Sequence, residues 1–126
     1  MKNDLLIKRC KDCGALVHVI YDCNCSDCSI KCCGKSMELL TPNTCDANKD
    51  KHIPKYEIVE DEIYVSIDHP MDNDHYIMWI AKVKNGREEI VYLYPEQEAS
   101  CRFKYEKQST IYAYCNKHQL WKSDIK

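Results

Sequence analysis

Ile77-Met78-Trp79-Ile80-Ala81-Lys82-Val83-Lys84-Asn85-Gly86-Arg87-Glu88-Glu89-Ile90-Val91-Tyr92-Leu93-Tyr94 is the stretch whose reading decides the fold. In its first half Ile77, Trp79, Ala81 and Val83 share one parity, opposite Tyr76, Met78, Ile80 and Lys82. Period two is a strand pattern, because successive side chains of extended backbone point to opposite faces. Asn85-Gly86 is the pair that tolerates positive φ at both positions of a tight hairpin turn. A second apolar run, Ile90 to Tyr94, follows it. The stretch reads as an antiparallel hairpin.

Outward from it the same pattern recurs. Ile63, Val65 and Ile67 alternate with Tyr64, Ser66 and Asp68, and Cys101–Tyr105 and Thr110–Cys115 are further short runs. Nine tyrosines, many β-branched residues and no sustained helical period argue for an all-β domain from Lys55 onward. Short strands with closely spaced turns predict an antiparallel sandwich.

Composition narrows the function classes. The chain has 126 residues with 18 Lys and Arg against 20 Asp and Glu, so charge makes no case for nucleic acid or an anionic membrane as partner. No apolar run approaches the length of a spanning helix. The apolar stretch Leu5-Leu6-Ile7 is too short for a secretory signal, and Cys10 follows closely. A soluble, cytoplasmic protein is expected.

Ten cysteines are the outlying number, and seven of them (Cys10, Cys13, Cys23, Cys25, Cys28, Cys32 and Cys33) lie within the first 33 residues. In a reducing compartment clustered thiols read as metal ligands rather than as a disulfide framework. Residues 1–38 have little capacity for an apolar core, so a metal is expected to hold that domain together. Residues 39–126 form the second domain, entered through a linker at Leu39–Asp50 that contains the turn-forming Thr41-Pro42-Asn43-Thr44. Cys10-Lys11-Asp12-Cys13 with Gly14, and Cys32-Cys33 with Gly34, can place four thiolates about one ion, which suits Fe or Zn. The adjacency of Cys32 and Cys33 is unusual, and Cys25-Ser26-Asp27-Cys28 is an alternative second pair.

Four of the five histidines fall in the β domain. They are His52, then His69 and His75 around a short loop, then His118 just after Cys115. Each taken alone is an ordinary surface or core residue. Together, neutral imidazoles and a nearby thiolate at strand ends suggest one shared metal site.

Taken in order, Cys10-x-x-Cys13-Gly14, Cys32-Cys33-Gly34-x-x-Met37, Lys51-His52-Ile53-Pro54, His69-Pro70-Met71-x-x-x-His75-Tyr76-Ile77-x-Trp79 and Cys115-Asn116-x-His118-x-Leu120-Trp121 resemble desulfoferrodoxin, the two-iron class of superoxide reductase. The resemblance implies a desulforedoxin-like domain with an iron centre held by the four sulfurs of Cys10, Cys13, Cys32 and Cys33. It implies an immunoglobulin-like β-sandwich whose iron is held by His52, His69, His75, His118 and Cys115. The implied activity is one-electron reduction of superoxide to hydrogen peroxide by a homodimer that a rubredoxin-like carrier re-reduces. Lys51 resembles the family lysine near the open face, whose charge attracts the anion and helps deliver a proton.

The chain departs from the family at two places. Where the family commonly has a glutamate able to ligate the oxidised iron, this sequence has Asp50, one methylene shorter. The loop from Cys23 to Cys28 is longer and richer in cysteine. Two rival readings are an electron-transfer iron protein without turnover, which requires a closed second site, and a structural zinc module, which four histidines plus a thiolate suit poorly.

Overall fold

The structure, a computed structural model, describes residues 3–21 and 29–126, and the alternative ligands Cys23, Cys25 and Cys28 lie outside the described residues. Antiparallel strands and one short 3-10 helix make up its regular structure. The chain divides into two compact units, Asp4–Thr41 and Pro42–Lys126 with Asn3. No helix among the described residues is long and apolar enough to cross a membrane.

In the smaller unit β1 (Ile7–Arg9) lies between β2 (Leu16–His18) and β5 (Glu38–Leu39). Its buried apolar side chains are few, with Leu5, Ile7, Val19, Met37 and Leu40 at the centre. A separate hairpin joins β3 (Lys31–Cys32) to β4 (Lys35–Ser36), with Cys32 paired to Lys35 across a two-residue turn. Both turn residues, Cys33 (φ 56°) and Gly34 (φ 75°), are left-handed, as such a turn demands. This turn accounts for the adjacent cysteines. Cys32 ends a strand and Cys33 begins the reversal, so neighbouring side chains that alternation would part are brought to one side.

The larger unit is a sandwich. One sheet has the order β10-β7-β6, from β6 (Lys55–Val59), β7 (Glu62–Ser66) and β10 (Ser100–Lys104). The other has the order β12-β11-β8-β9, from β8 (Ile77–Lys84), β9 (Arg87–Tyr92), β11 (Thr110–Cys115) and β12 (Gln119–Asp124). One apolar cluster lies between them, with Ile63, Val65 and Phe103 from the first sheet and Ile77, Ile80, Ile111, Ala113 and Cys115 from the second. The expected hairpin is present. Lys84 pairs with Arg87 around Asn85 (φ 48°) and Gly86 (φ 83°), a left-handed pair of the type that follows strand twist.

The parity of β8 differs from its sequence pattern. Tyr114 pairs with Trp79 but Cys115 pairs with Ile77, so Met78 is the extra residue of a bulge. A bulge resets alternation by one. Ile77 therefore joins Ile80 in the sandwich core, while Trp79 stacks on Tyr114 at 5.8 Å on the other face. Lys82 opposes Ile111 and is 5% exposed; its ammonium donates to the Lys104 carbonyl (2.8 Å) and pairs with Glu106 (2.6 Å).

The expected linker is partly built into the structure. Leu39 pairs with Lys8 of β1, and the Asn43 side chain accepts from Lys122 N–H (2.9 Å) and donates to Lys122 C=O (3.3 Å), as a neighbouring strand would. Turn-forming composition marks residues able to leave a strand; it does not exclude side chains that imitate one.

Candidate metal centres

In the sandwich, residues far apart in sequence meet at one end. His52 closes the 3-10 helix Lys49–Lys51, which Asn48 caps by accepting from Asp50 N–H (2.9 Å). His69 and His75 lie in the β7–β8 loop, folded by paired backbone bonds between Asp72 and His75 (3.0 and 3.3 Å). Cys115 ends β11 at the bulge, and His118 sits in the turn into β12. Asn116 fastens that turn to the loop: its amide accepts from Tyr76 N–H and donates to Asp74 C=O, both at 3.0 Å.

The four imidazoles form a closed ring. Centroids of His52–His69, His69–His75, His75–His118 and His118–His52 lie 4.8, 4.7, 5.2 and 4.8 Å apart, each pair edge to face. One donor atom from each imidazole and the Cys115 sulfur all lie within 4.8 Å of one another. His52 Nδ1 faces the Asn48 carbonyl (2.7 Å) and His69 Nδ1 the Pro70 carbonyl (2.6 Å). Each carbonyl takes the Nδ1 proton, which leaves Nε2 with a lone pair. Trp121 stacks on His52 at 5.0 Å and donates from Nε1 to the His118 carbonyl (2.8 Å), which buttresses two ligands at once.

The donor atoms themselves fit a metal. His75 Nε2 is buried with no hydrogen-bond partner, a costly state for a polar atom unless something else occupies its lone pair. Bonds of about 2.1 Å to nitrogen and 2.3 Å to sulfur place neighbouring donors of a right-angled site about 3.0 Å apart. His52 Nε2 and His118 Nδ1 are 3.0 Å apart, and Cys115 Sγ lies 3.2 Å from His69 Nε2 and 3.8 Å from His118 Nδ1. Burial pushes the His69 imidazole down to about 4 and lowers those of His52 and His75, so they are neutral, the ligating form. Burial pushes the Cys115 thiol up, opposed by the backbone N–H groups of Lys117 and His118, the latter 3.4 Å from the sulfur.

A cleft of about 650 Å³ opens over the ring; it is lined by all four imidazoles, Lys51 and Asp68, but not by Cys115, which is fully buried. The imidazoles thus meet the cleft, and the sulfur does not. The Lys51 ammonium donates to Asp68 (2.9 Å) and holds that carboxyl below the usual range. Asp50 is exposed in the 3-10 helix and does not line the cleft. Sequence reasoning missed Asp68 and Asn48; for Asp68 the available signal was its place directly before His69.

In the smaller unit the four sulfurs of Cys10, Cys13, Cys32 and Cys33 also lie within 4.8 Å of one another, and all four cysteines are free thiols. Cys13–Cys32 and Cys32–Cys33 sulfurs are 3.6 and 4.0 Å apart, near the roughly 3.8 Å edge of a tetrahedron with bonds of about 2.3 Å. The Cys13 backbone N–H lowers Cys10 to about 7, whereas the thiols of Cys13 and Cys10 push Cys32 up to about 12. Four sulfurs so close resist joint ionisation unless a cation balances them.

The desulfoferrodoxin family model matches residues 44–124. The chain belongs to the desulfoferrodoxin family. It is 36% identical to the desulfoferrodoxin of Syntrophotalea carbinolica, across 98% of this chain and 99% of that one, and 37% identical to that of Clostridium acetobutylicum, across 99% and 100%. Its fold is similar to the superoxide reductase of Treponema pallidum, with a TM-score of 0.68 and 24% identity over 93% of this chain and 98% of that one. In a desulfoferrodoxin the four-cysteine set and the histidine–cysteine set fit two iron ions per chain.

Proposed function

We propose that this desulfoferrodoxin is a superoxide reductase that forms hydrogen peroxide at the histidine–cysteine site and removes superoxide from the cytoplasm. One observation carries the reading: four imidazoles line an open cleft while the Cys115 thiol beside them is fully buried. A closed electron-transfer site would have no such opening, and a structural zinc site needs no fifth donor.

His52, His69, His75, His118 and Cys115 would hold the iron of this site; Cys10, Cys13, Cys32 and Cys33 would hold the other. Iron held there would supply one electron to superoxide, and the chain supplies the surroundings. The carbonyls of Asn48 and Pro70 fix the tautomers of His52 and His69. Backbone N–H groups beside the Cys115 sulfur temper its charge, and with it the electron density it donates. Lys51 draws the anion to the cleft and passes protons to it through water. Asp50 holds the position of the family's glutamate beside Lys51, one methylene shorter and exposed in the 3-10 helix. We assign residues 1–38 and 39–126 as the two iron domains, in a homodimer re-reduced by a rubredoxin-like carrier.

The iron-loaded protein, reduced anaerobically and given a pulse of superoxide, is expected to yield about one peroxide per electron with no oxygen released. Cys115→Ser is expected to lose the visible sulfur absorption of that site and the activity. A fully loaded ferrous protein that leaves superoxide untouched overturns the reading. Light scattering checks the dimer.

A further inference from the structure

Lys51 and Asp68 approach the cleft from different elements. Lys51 ends the 3-10 helix one residue before His52, and Asp68 follows β7 one residue before His69. Their 2.9 Å ion pair therefore spans the rim between two imidazoles whose centroids are 4.8 Å apart. The two ends differ in freedom. Asp68 has a short side chain, and Ile67 beside it is buried and bonded through its N–H to the Ala99 carbonyl (2.9 Å). Lys51 has a long, flexible stem and a side chain 51% exposed, so an unpaired ammonium would spend much of its time in solvent away from the cleft.

We propose that Asp68 is a positioning residue that holds the Lys51 ammonium over the open side of the four imidazoles. The inference rests on the reductase reading for its kinetic consequence, but not for its geometry. A carboxylate at the rim also repels an anionic substrate. The two effects have opposite signs when Asp68 is neutralised: lost positioning slows the reaction, lost repulsion speeds it. The pair, with side chains 51% and 70% exposed, supports about a two- to fivefold effect at most.

The test compares wild type, Asp68→Asn, Asp68→Glu, Lys51→Ala and Lys51→Ala/Asp68→Asn as full-length, iron-loaded, reduced proteins mixed with superoxide. Asp68→Asn is expected to slow the second-order step about two- to fivefold, and Asp68→Glu to recover part of it. The double variant is expected to be no slower than Lys51→Ala alone, since Asp68 acts through Lys51. An equal or faster Asp68→Asn, or effects that multiply in the double variant, overturns the proposal. A second readout needs no iron and no turnover. In full-length zinc-substituted protein with labelled lysine, the Lys51 side-chain resonances are expected to move toward those of a free lysine in Asp68→Asn; resonances that stay in place overturn the proposal. Wild type that ignores superoxide defeats the reductase reading, while the resonance comparison still decides whether Asp68 holds Lys51.

Discussion

Asn116 shows how much of the histidine–cysteine site rests on a residue that offers no ligand. Its side chain joins the Cys115–His118 turn to the loop of His75 through Tyr76 N–H and Asp74 C=O, and its own N–H donates to the Tyr76 carbonyl (3.2 Å). Asn116→Ala keeps that last bond and leaves two partners unsatisfied, at a cost of about 1–3 kcal/mol. Partners that orient ligands are typically worth about 10–100-fold in metal affinity. Asn116→Ala is therefore expected to fold, with a lower unfolding midpoint, and to release iron to a chelator about 10–100-fold more readily; unchanged release contradicts the bracing role. At this scale the clustering of His52, His69, His75, Cys115 and His118 was legible, because histidine and cysteine are few in the β domain and carry distinctive chemistry. Asp68 was not. Asp50 and Asp74 also adjoin a histidine or lysine in sequence, and what singles out Asp68 is its position across the rim from Lys51.

The element scale is where pattern and structure part. Both faces of β8 are apolar, so the alternation stays visible on either side of Met78 while nothing marks the bulge between them. The bulge turns Lys82 toward Ile111, where the ion pair with Glu106 and the Lys104 carbonyl compensate its burial. The Lys82 ammonium holds the Glu106 carboxyl below its ordinary value of 4.5. A depressed carboxyl contributes stability that is present above its unfolded pKa and lost as pH falls through the folded one. Wild type is therefore expected to lose this contribution on acidification below the ordinary glutamate range. Lys82→Met fills the space without the charge and is expected to show a shallower fall in thermal midpoint over the same pH interval, with near-wild-type stability at neutral pH. Parallel curves for the two proteins contradict the assignment. The hairpin itself was readable, since Asn85-Gly86 states its turn type in two residues.

At the scale of the whole molecule, two units carry two donor sets with no residue in common. Loss of one sulfur from the four-cysteine set should leave the other set intact. Cys13→Ser is expected to lower iron from about two ions per chain to about one and to keep the absorption of the histidine–cysteine site. It is also expected to make Asp4–Thr41 the first segment cut by protease, since its small apolar centre has little to hold it without metal. Loss of both irons together contradicts this independence.

The four-cysteine set is gathered from Cys10 to Cys33, whereas the histidine–cysteine set draws on His52 through His118, near the end of the chain. During synthesis the first set is complete while most of the sandwich is still untranslated. The second exists after β11 has entered the sheet and its turn has closed. The two donor sets are thus completed at different moments of synthesis, the first while the chain is still growing and the second only once the C-terminal strands have joined their sheet.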